Sequence, residues 1–156
     1  MDFARTRLMS IFPTIEKSGQ DPNKVLAWRP GPGRAHIAWQ LLHCAATHHR
    51  NLYVTFLGGK AKDEALVANY AGGSTPSDQN IPSAESIQKT LESTYAEYRA
   101  AVAGFNSNEL MTKKVGPAGK ERLLGEGIVL YTWHEAHHQG QIHLTWNLYK
   151  AAHGIT

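Results

Sequence analysis

Histidine is the residue type in this chain whose number and spacing point to chemistry. Four of the nine histidines lie between His36 and His49, and four lie between His134 and His143. His134 and His138 are four residues apart, so on a helix they project from one face about one turn apart. Two imidazoles at that spacing can reach one ion at a metal–nitrogen distance of about 2.0 to 2.1 Å. The same pair is also compatible with solvated or mutually bonded histidines.

The first group of histidines supplies candidates for a third ligand. His43 lies in the middle of an apolar stretch and faces the pair if the two helices pack together. His36, one heptad earlier on the same face, is a competing third ligand or a residue at the mouth of the site. Three imidazoles from two helices leave positions open for water or substrate, which is typical of reactive metal sites. His48 and His49 are predicted to face solvent or the end of the bundle.

Other side chains flank the candidate metal site. Tyr131 and Gln141 lie on the same face as the histidine pair and are predicted to contact the ligands or the substrate. Arg50, two turns after His43, can hold a ligand carboxylate or can simply be an exposed helix charge. Cys44 is rotated by about 100° from His43 and is predicted to be a packing residue. His137 is interpreted as a residue outside the site, although a contribution from it stays open.

The elements that must position these residues are helices. Proline and glycine interrupt the chain around residues 30–33, 58–59, 72–82 and 104–119, and three long proline-free stretches lie between them. Apolar residues at three- and four-residue spacing, with little alternation at period two, predict helices. These are residues 34–57, 83–103 and 120–153, with a weaker helix over 2–18 that Pro13 kinks and a short one over 63–70. The pattern predicts an all-α protein, a four-helix bundle, with residues 1–156 forming one domain.

Composition narrows the classes of partner. The net charge is +3, but the sixteen Lys and Arg residues are scattered along the chain, so we expect no nucleic-acid partner. No apolar run reaches the roughly 18 residues of a membrane span, and the N-terminus lacks the pattern of a signal peptide. These features predict a cytoplasmic protein with no membrane partner. A single cysteine excludes an internal disulfide framework, so a metal site must use nitrogen and oxygen ligands.

Two segments, AHIAWQLLHCAATHHRNL and WHEAHHQGQI, resemble those of the DinB-like superfamily, the damage-inducible and YfiT-like metalloenzymes. His43 matches the helix-two histidine of that family, and His134 and His138 match the pair that precedes its usual Gly-Gln. The WRPGPGR lead-in and the long connection before residue 83 also fit, so the likeness covers most of the chain. The departures are Gln139, at a position often basic in relatives, and a first helix broken by Pro13.

The resemblance implies a four-helix bundle and a three-histidine site for a divalent ion. Imidazole suits zinc, nickel, copper and iron, of which zinc or nickel is expected here. Relatives of this superfamily include transferases and isomerases that use small thiols such as bacillithiol, mycothiol or glutathione. The resemblance therefore implies a metal-activated nucleophile, either a low-molecular-weight thiol for transfer or water for hydrolysis, acting on a small-molecule substrate.

Two alternatives belong to other functional classes. Residues 134–138 form a literal HExxH motif, in which Glu135 would be the general base of a zinc peptidase. The later ligands of such enzymes have no match, and under the DinB-like interpretation Glu135 is an orienting or surface group. The second alternative is a metal-free helical module that binds a partner or dimerises. Apolar residues on several faces of the last helix (Ile128, Trp133, Trp146) favour a homodimer, although a fully buried central helix would show the same pattern.

Overall fold

A computed structural model of the chain describes residues 1–155, and these residues are mostly helical. The longest helices are α4, α6 and α8, and α4 continues directly into a short π-helix. In chain order the elements are α1 (Asp2–Met9), α2 (Ile11–Lys17), α3 (Pro22–Ala27), α4 (Ile37–Arg50), the π-helix (Asn51–Phe56), α5 (Glu64–Tyr70), α6 (Ala84–Gly104), α7 (Ser107–Thr112), β1 (Lys114–Val115), β2 (Arg122–Leu123) and α8 (Leu124–His153). The all-α class predicted from the sequence is confirmed.

Local side-chain caps explain where several helices begin. The Ser83 hydroxyl accepts a hydrogen bond from the Ser86 N–H at 3.2 Å, as expected of an N-cap residue. Asp63 caps α5 in the same way, accepting from the Leu66 N–H at 2.8 Å. The predicted helices over 63–70 and 83–103 are therefore present with boundaries close to those expected.

Helix α4 is the central element of the core. Its residues from Ile37 to His49 are buried, apart from Trp39, which is half-buried. It packs against α3, α5, α6 and α8, while α1 packs against α8. Ile37 and Leu41 of α4 and Ile87 and Leu91 of α6 are fully buried and belong to one core cluster. Because other helices pack on several sides of α4, this helix has no solvent-exposed face over most of its length.

The structure departs from the expected pattern in the N-terminal helix and in the segment between α6 and α8. The N-terminal helix breaks at Ser10, three residues before Pro13, so that α1 and α2 are separate. The segment between α6 and α8 contains α7 and an antiparallel pairing of β1 with β2, neither of which was expected. Asn106 and Glu109 form a reciprocal capping box at the start of α7, a local signal present in the sequence. Within residues 1–155, no helix has the length and apolar character to span a membrane.

Candidate metal centre

Three histidines from two helices meet in one cluster. His43 projects from α4, and His134 and His138 project from α8. The Nε2 atoms of His43 and His134 are 3.1 Å apart, and one nitrogen from each of the three rings lies within 4.8 Å of the others. The predicted third partner of the His134–His138 pair is thus His43.

A hydrogen bond to the backbone orients the His43 ring. Its Nδ1 lies 2.6 Å from the carbonyl oxygen of Tyr70, the last residue of α5. A carbonyl can only accept, so Nδ1 carries the proton and Nε2 presents its lone pair to the cluster. A histidine held in this way through its second nitrogen is typical of a metal ligand. Sequence reasoning missed Tyr70 because a backbone carbonyl leaves no mark in residue type.

The residues present fit a divalent metal ion. Two nitrogens bound at about 2.0 to 2.1 Å to one ion in tetrahedral or octahedral geometry lie about 3 Å apart, close to the separation between His43 and His134. Among residues 1–155, Nδ1 of His138 is buried and has no hydrogen-bond partner. Buried polar groups nearly always have one, and an ion held at Nδ1 would supply the missing partner.

The electrostatics of the cluster favour neutral imidazoles. Burial, together with the neighbouring histidines, lowers the pKa of His134 to about 4 and that of His138 to about 3. Burial also lowers the pKa of His43, although its hydrogen bond to the Tyr70 carbonyl opposes the shift. All three rings therefore keep free lone pairs at neutral pH, as metal coordination requires.

Trp39 packs against the cluster from the preceding turn of α4. Its ring stacks on His43 with centroids 4.8 Å apart and an interplanar angle of 12°. It also lines a cavity of about 630 Å³ whose wall includes Gln40 and Gln141. The half-buried ring of Trp39 is therefore a stacking partner of a candidate ligand.

Glu135 lies outside the metal cluster. Its side chain is buried, and its Oε1 lies 2.7 Å from Nε of Arg5 on α1, so it is not a surface group. Burial raises the pKa of Glu135, and the Arg5 guanidinium opposes that shift. A carboxylate held by Arg5 is poorly placed to act as the general base of an HExxH peptidase. Arg5, which the sequence did not single out, is itself buried by α1 packing against α8.

The other histidines of the first group have structural roles that correct the sequence interpretation. His36 is the N-cap of α4: its Nδ1 accepts from the Trp39 N–H, and its Nε2 lies 2.9 Å from the Ser77 carbonyl oxygen. With both nitrogens engaged, His36 is not the third ligand.

His48 and His49 are buried rather than solvent-facing. Helix α6 covers His48, and the segment before α5 covers His49. His48 bonds to Arg5, and His49 accepts from the Asp63 N–H.

The predicted flanking residues lie on opposite sides of the cluster. Gln141 is exposed; its Nε2 lies 3.0 Å from Nε2 of His137, and it lines the 630 Å³ cavity. Tyr131 is half-buried and lines a smaller cavity that it shares with the exposed Arg50. Burial raises the pKa of the Tyr131 hydroxyl, and the charges of Arg122 and Arg50 oppose this shift. Cys44 is fully buried and is the packing residue that was expected.

The architecture and the site together define a helical protein with a three-histidine cluster suited to a metal ion. Comparison with protein families finds that the DinB superfamily matches residues 2–142, a range that includes all three histidines. The chain belongs to the DinB superfamily, as its resemblance to that family indicated. Comparison with curated proteins gives no match.

Proposed function

We propose that the protein is a metal-dependent enzyme in which His43, His134 and His138 hold one divalent ion, zinc or nickel. The observation that carries the proposal is the cluster itself: one nitrogen from each ring within 4.8 Å, with the second nitrogen of His43 tied to the backbone. When bound, such an ion lowers the pKa of a thiol or water and so supplies a nucleophile near neutral pH. Three protein ligands leave coordination positions of the ion open for that thiol or water.

The reaction is proposed to be thiol-dependent transfer or hydrolysis of a small molecule. The cavity of about 630 Å³ beside Trp39 and Gln141 is large enough for a small substrate. We propose that Gln141 orients a substrate there and that Tyr131 donates a hydrogen bond on the other side of the histidines. Arg50 is proposed to hold an anionic group of the low-molecular-weight thiol or of the substrate.

Metal content tests this proposal. The wild-type protein, supplied with zinc or nickel, is expected to bind one ion per chain by elemental analysis, and His43→Ala, His134→Ala and His138→Ala are each expected to bind almost none. His137→Ala and His153→Ala are matched controls because both side chains are exposed and outside the cluster. His48 is unsuitable as a control because it is buried. Circular dichroism checks that the variants fold.

The same preparations test the reaction. Each is assayed for transfer of several low-molecular-weight thiols to a chromogenic electrophile and for hydrolysis of small esters and amides. Activity that requires added metal and is lost in His138→Ala supports the proposal. A wild-type protein that binds no divalent ion would overturn it in favour of the metal-free binding module.

We further propose a four-helix bundle that dimerises through α8. The packing of α4 against α6 and α8, and of α1 against α8, supports the bundle. Four apolar residues of α8 are exposed and lie within about 100° of one another around the helix. They are Val129, Trp133, Leu144 and Leu148. Because Trp133 is 59% exposed, α8 is not a fully buried central helix. A second copy would cover this stripe and, through Leu144 and Leu148, one wall of the 630 Å³ cavity.

Sedimentation measures the oligomeric state. Wild type is expected to be a dimer and Trp133→Glu a monomer, because a charge in an apolar interface loses its hydration. Met111→Glu, at an exposed apolar residue outside α8, is the matched control and is expected to remain a dimer. A monomeric wild type contradicts the proposal. The cytoplasmic location and the absence of nucleic-acid and membrane partners stay predictions from the sequence.

A further inference from the structure

A small cavity rich in positive charge lies where four elements meet. It has a volume of about 180 Å³ and is bounded by the end of α4, the π-helix, the turn between β1 and β2, and the first half of α8. Arg50, Lys120 and Arg122 line it together with the hydroxyl-bearing Tyr131. No carboxylate is among its lining residues within the described part of the chain.

The three cations are available to a ligand. Among residues 1–155, none of them forms an ion pair. Glu121 lies between Lys120 and Arg122 in the sequence. Its carboxylate accepts a hydrogen bond from the Gly119 N–H at 2.9 Å and pairs with none of the three cations. Arg50 and Arg122 line the same cavity as Tyr131, so all three side chains border one small space. Positive charges gathered without counter-charges attract anions.

The hairpin that carries two of these cations is anchored. Lys113, at the base of β1, donates from Nζ to the carbonyl oxygen of Phe56, the last residue of the π-helix, at 2.9 Å. Gly116 begins the turn with a φ of 116°, and a Cβ there would meet the Lys120 carbonyl oxygen at 3.3 Å. The turn is therefore compact and brings Lys120 and Arg122 over the end of α4.

The cavity is displaced from the histidine cluster in the direction of the axes of α4 and α8. Helices α4 and α8 are antiparallel, since Gln40 bonds to Thr145 before the cluster and Arg50 shares a cavity with Tyr131 beyond it. Tyr131 precedes His134 by three residues, and Arg50 follows His43 by seven. At 1.5 Å per residue, the cavity lies about 5 to 10 Å beyond the histidines.

We propose that this cavity, the hairpin anion site, binds a terminal oxyanion of the molecule whose reacting atom lies at the three histidines. The proposal rests on the proposed function and adds the substrate class: a small molecule or thiol with a carboxylate or phosphate about 5 to 10 Å from its reacting atom. Arg50 and Arg122 would bind the oxyanion in charge-assisted hydrogen bonds. Lys120 would add positive charge, and the Tyr131 hydroxyl would donate a further hydrogen bond.

The first experiment needs no metal. Inorganic phosphate is titrated into the metal-free protein at low ionic strength, and backbone amide shifts of residues 116–122 are followed by NMR. Saturable shifts are expected, with affinity about tenfold lower in Arg50→Gln and Arg122→Gln, the loss typical of one charge-assisted hydrogen bond. Lys114→Gln is the matched control, an exposed lysine of the same hairpin that does not line the cavity. Absence of saturable shifts in wild type would overturn the proposal, as would equal affinities in all variants.

The second experiment links the cavity to the metal centre. Cobalt-loaded protein is titrated with mercaptooctanoate, mercaptooctanol and mercaptooctylphosphonate, and thiolate binding is followed by its charge-transfer absorption. The two anionic thiols are expected to bind about tenfold more tightly than the alcohol, an advantage that Arg122→Gln removes and Lys114→Gln retains. The preferred anion distinguishes carboxylate from phosphate ligands. Equal affinities for all three thiols overturn the proposal. If the protein does not bind cobalt, the proposed function is overturned. Whether the hairpin anion site binds an anion is then decided by the phosphate titration, which needs no metal.

Discussion

His43 differs from the other histidines of α4 in what its two ring nitrogens meet. His36 uses both nitrogens for backbone groups, and His48 accepts from Arg5. His43 uses one nitrogen for the Tyr70 carbonyl and turns the other toward His134. A histidine becomes a candidate ligand when a backbone acceptor fixes its tautomer and its remaining lone pair faces other ligands.

Glu135 provides the residue-scale test that separates the metal centre from a peptidase site. Glu135→Gln is expected to keep the metal content of wild type, because the carboxylate is not part of the histidine cluster. It is expected to lower the free energy of unfolding by about 3 kcal/mol, since it leaves the buried charge of Arg5 without its counter-charge. Elemental analysis and urea unfolding measure the two effects.

Two comparisons make the Glu135 result specific. Glu16→Gln, at an exposed position, is expected to change neither quantity. The double variant Arg5→Met with Glu135→Leu is expected to recover most of the lost stability, because it removes both buried charges. A wild-type peptidase activity that disappears in Glu135→Gln would instead favour the HExxH alternative.

At the scale of elements, α5 connects a helix cap to the metal centre. Asp63 caps the first turn of this seven-residue helix, and its last residue, Tyr70, supplies the carbonyl that orients His43. So short a helix depends on its cap and its packing, because its few internal hydrogen bonds barely offset the cost of starting a helix. The position of the Tyr70 carbonyl thus depends on an aspartate at the opposite end of the element.

Loss of the α5 cap is expected to weaken metal binding. Asp63→Ala should lower the free energy of unfolding by about 1 kcal/mol. It should also raise the dissociation constant for zinc by about tenfold, the lower range for loss of a group that orients a ligand. Ser83→Ala, which removes the cap of α6, is the matched control and should cost similar stability without changing zinc affinity. Competition with a chromophoric chelator measures the affinity, and equal dissociation constants for the two variants would contradict the role given to α5.

At the scale of the whole molecule, buried histidines couple folding to pH. His48 is enclosed by Arg5 from α1 and by Tyr95 and Tyr98 from α6. Burial and the Arg5 charge lower its pKa well below 6.5 in the folded protein, although a hydrogen bond to the Tyr131 carbonyl opposes the shift. Below about pH 6.5 the unfolded chain binds a proton at this residue and the folded chain does not.

The metal-free protein is therefore expected to lose stability through His48 as the pH falls below about 6.5. The loss from this residue approaches 1.4 kcal/mol per pH unit, and above about pH 7.5 it is absent because both states are neutral there. In urea unfolding between pH 7.5 and 5, His48→Gln should have a shallower slope than wild type, and His153→Gln should have the wild-type slope. An NMR titration in which the His48 ring of the folded protein gains its proton near pH 6.5 would contradict this expectation.

The sequence by itself determined the features that depend on local spacing. Apolar periodicity between proline and glycine breaks predicted α4, α5, α6 and α8, because helix formation depends on residues three and four positions apart. The spacing of His134 and His138 predicted their common face for the same reason. The family resemblance identified His43 as their partner.

Only the tertiary structure decided the features that depend on contacts between distant segments. It gave the physical reason why His43, and not His36 on the same face, meets the pair. The Ser77 carbonyl and the Trp39 N–H engage the two ring nitrogens of His36, whereas the Tyr70 carbonyl engages only one nitrogen of His43. The tertiary structure buried Glu135 against Arg5, although helical spacing alone allowed a surface position. Burial and hydrogen-bond partners belong to the packed chain, so the chemistry of these side chains could not be read from spacing alone.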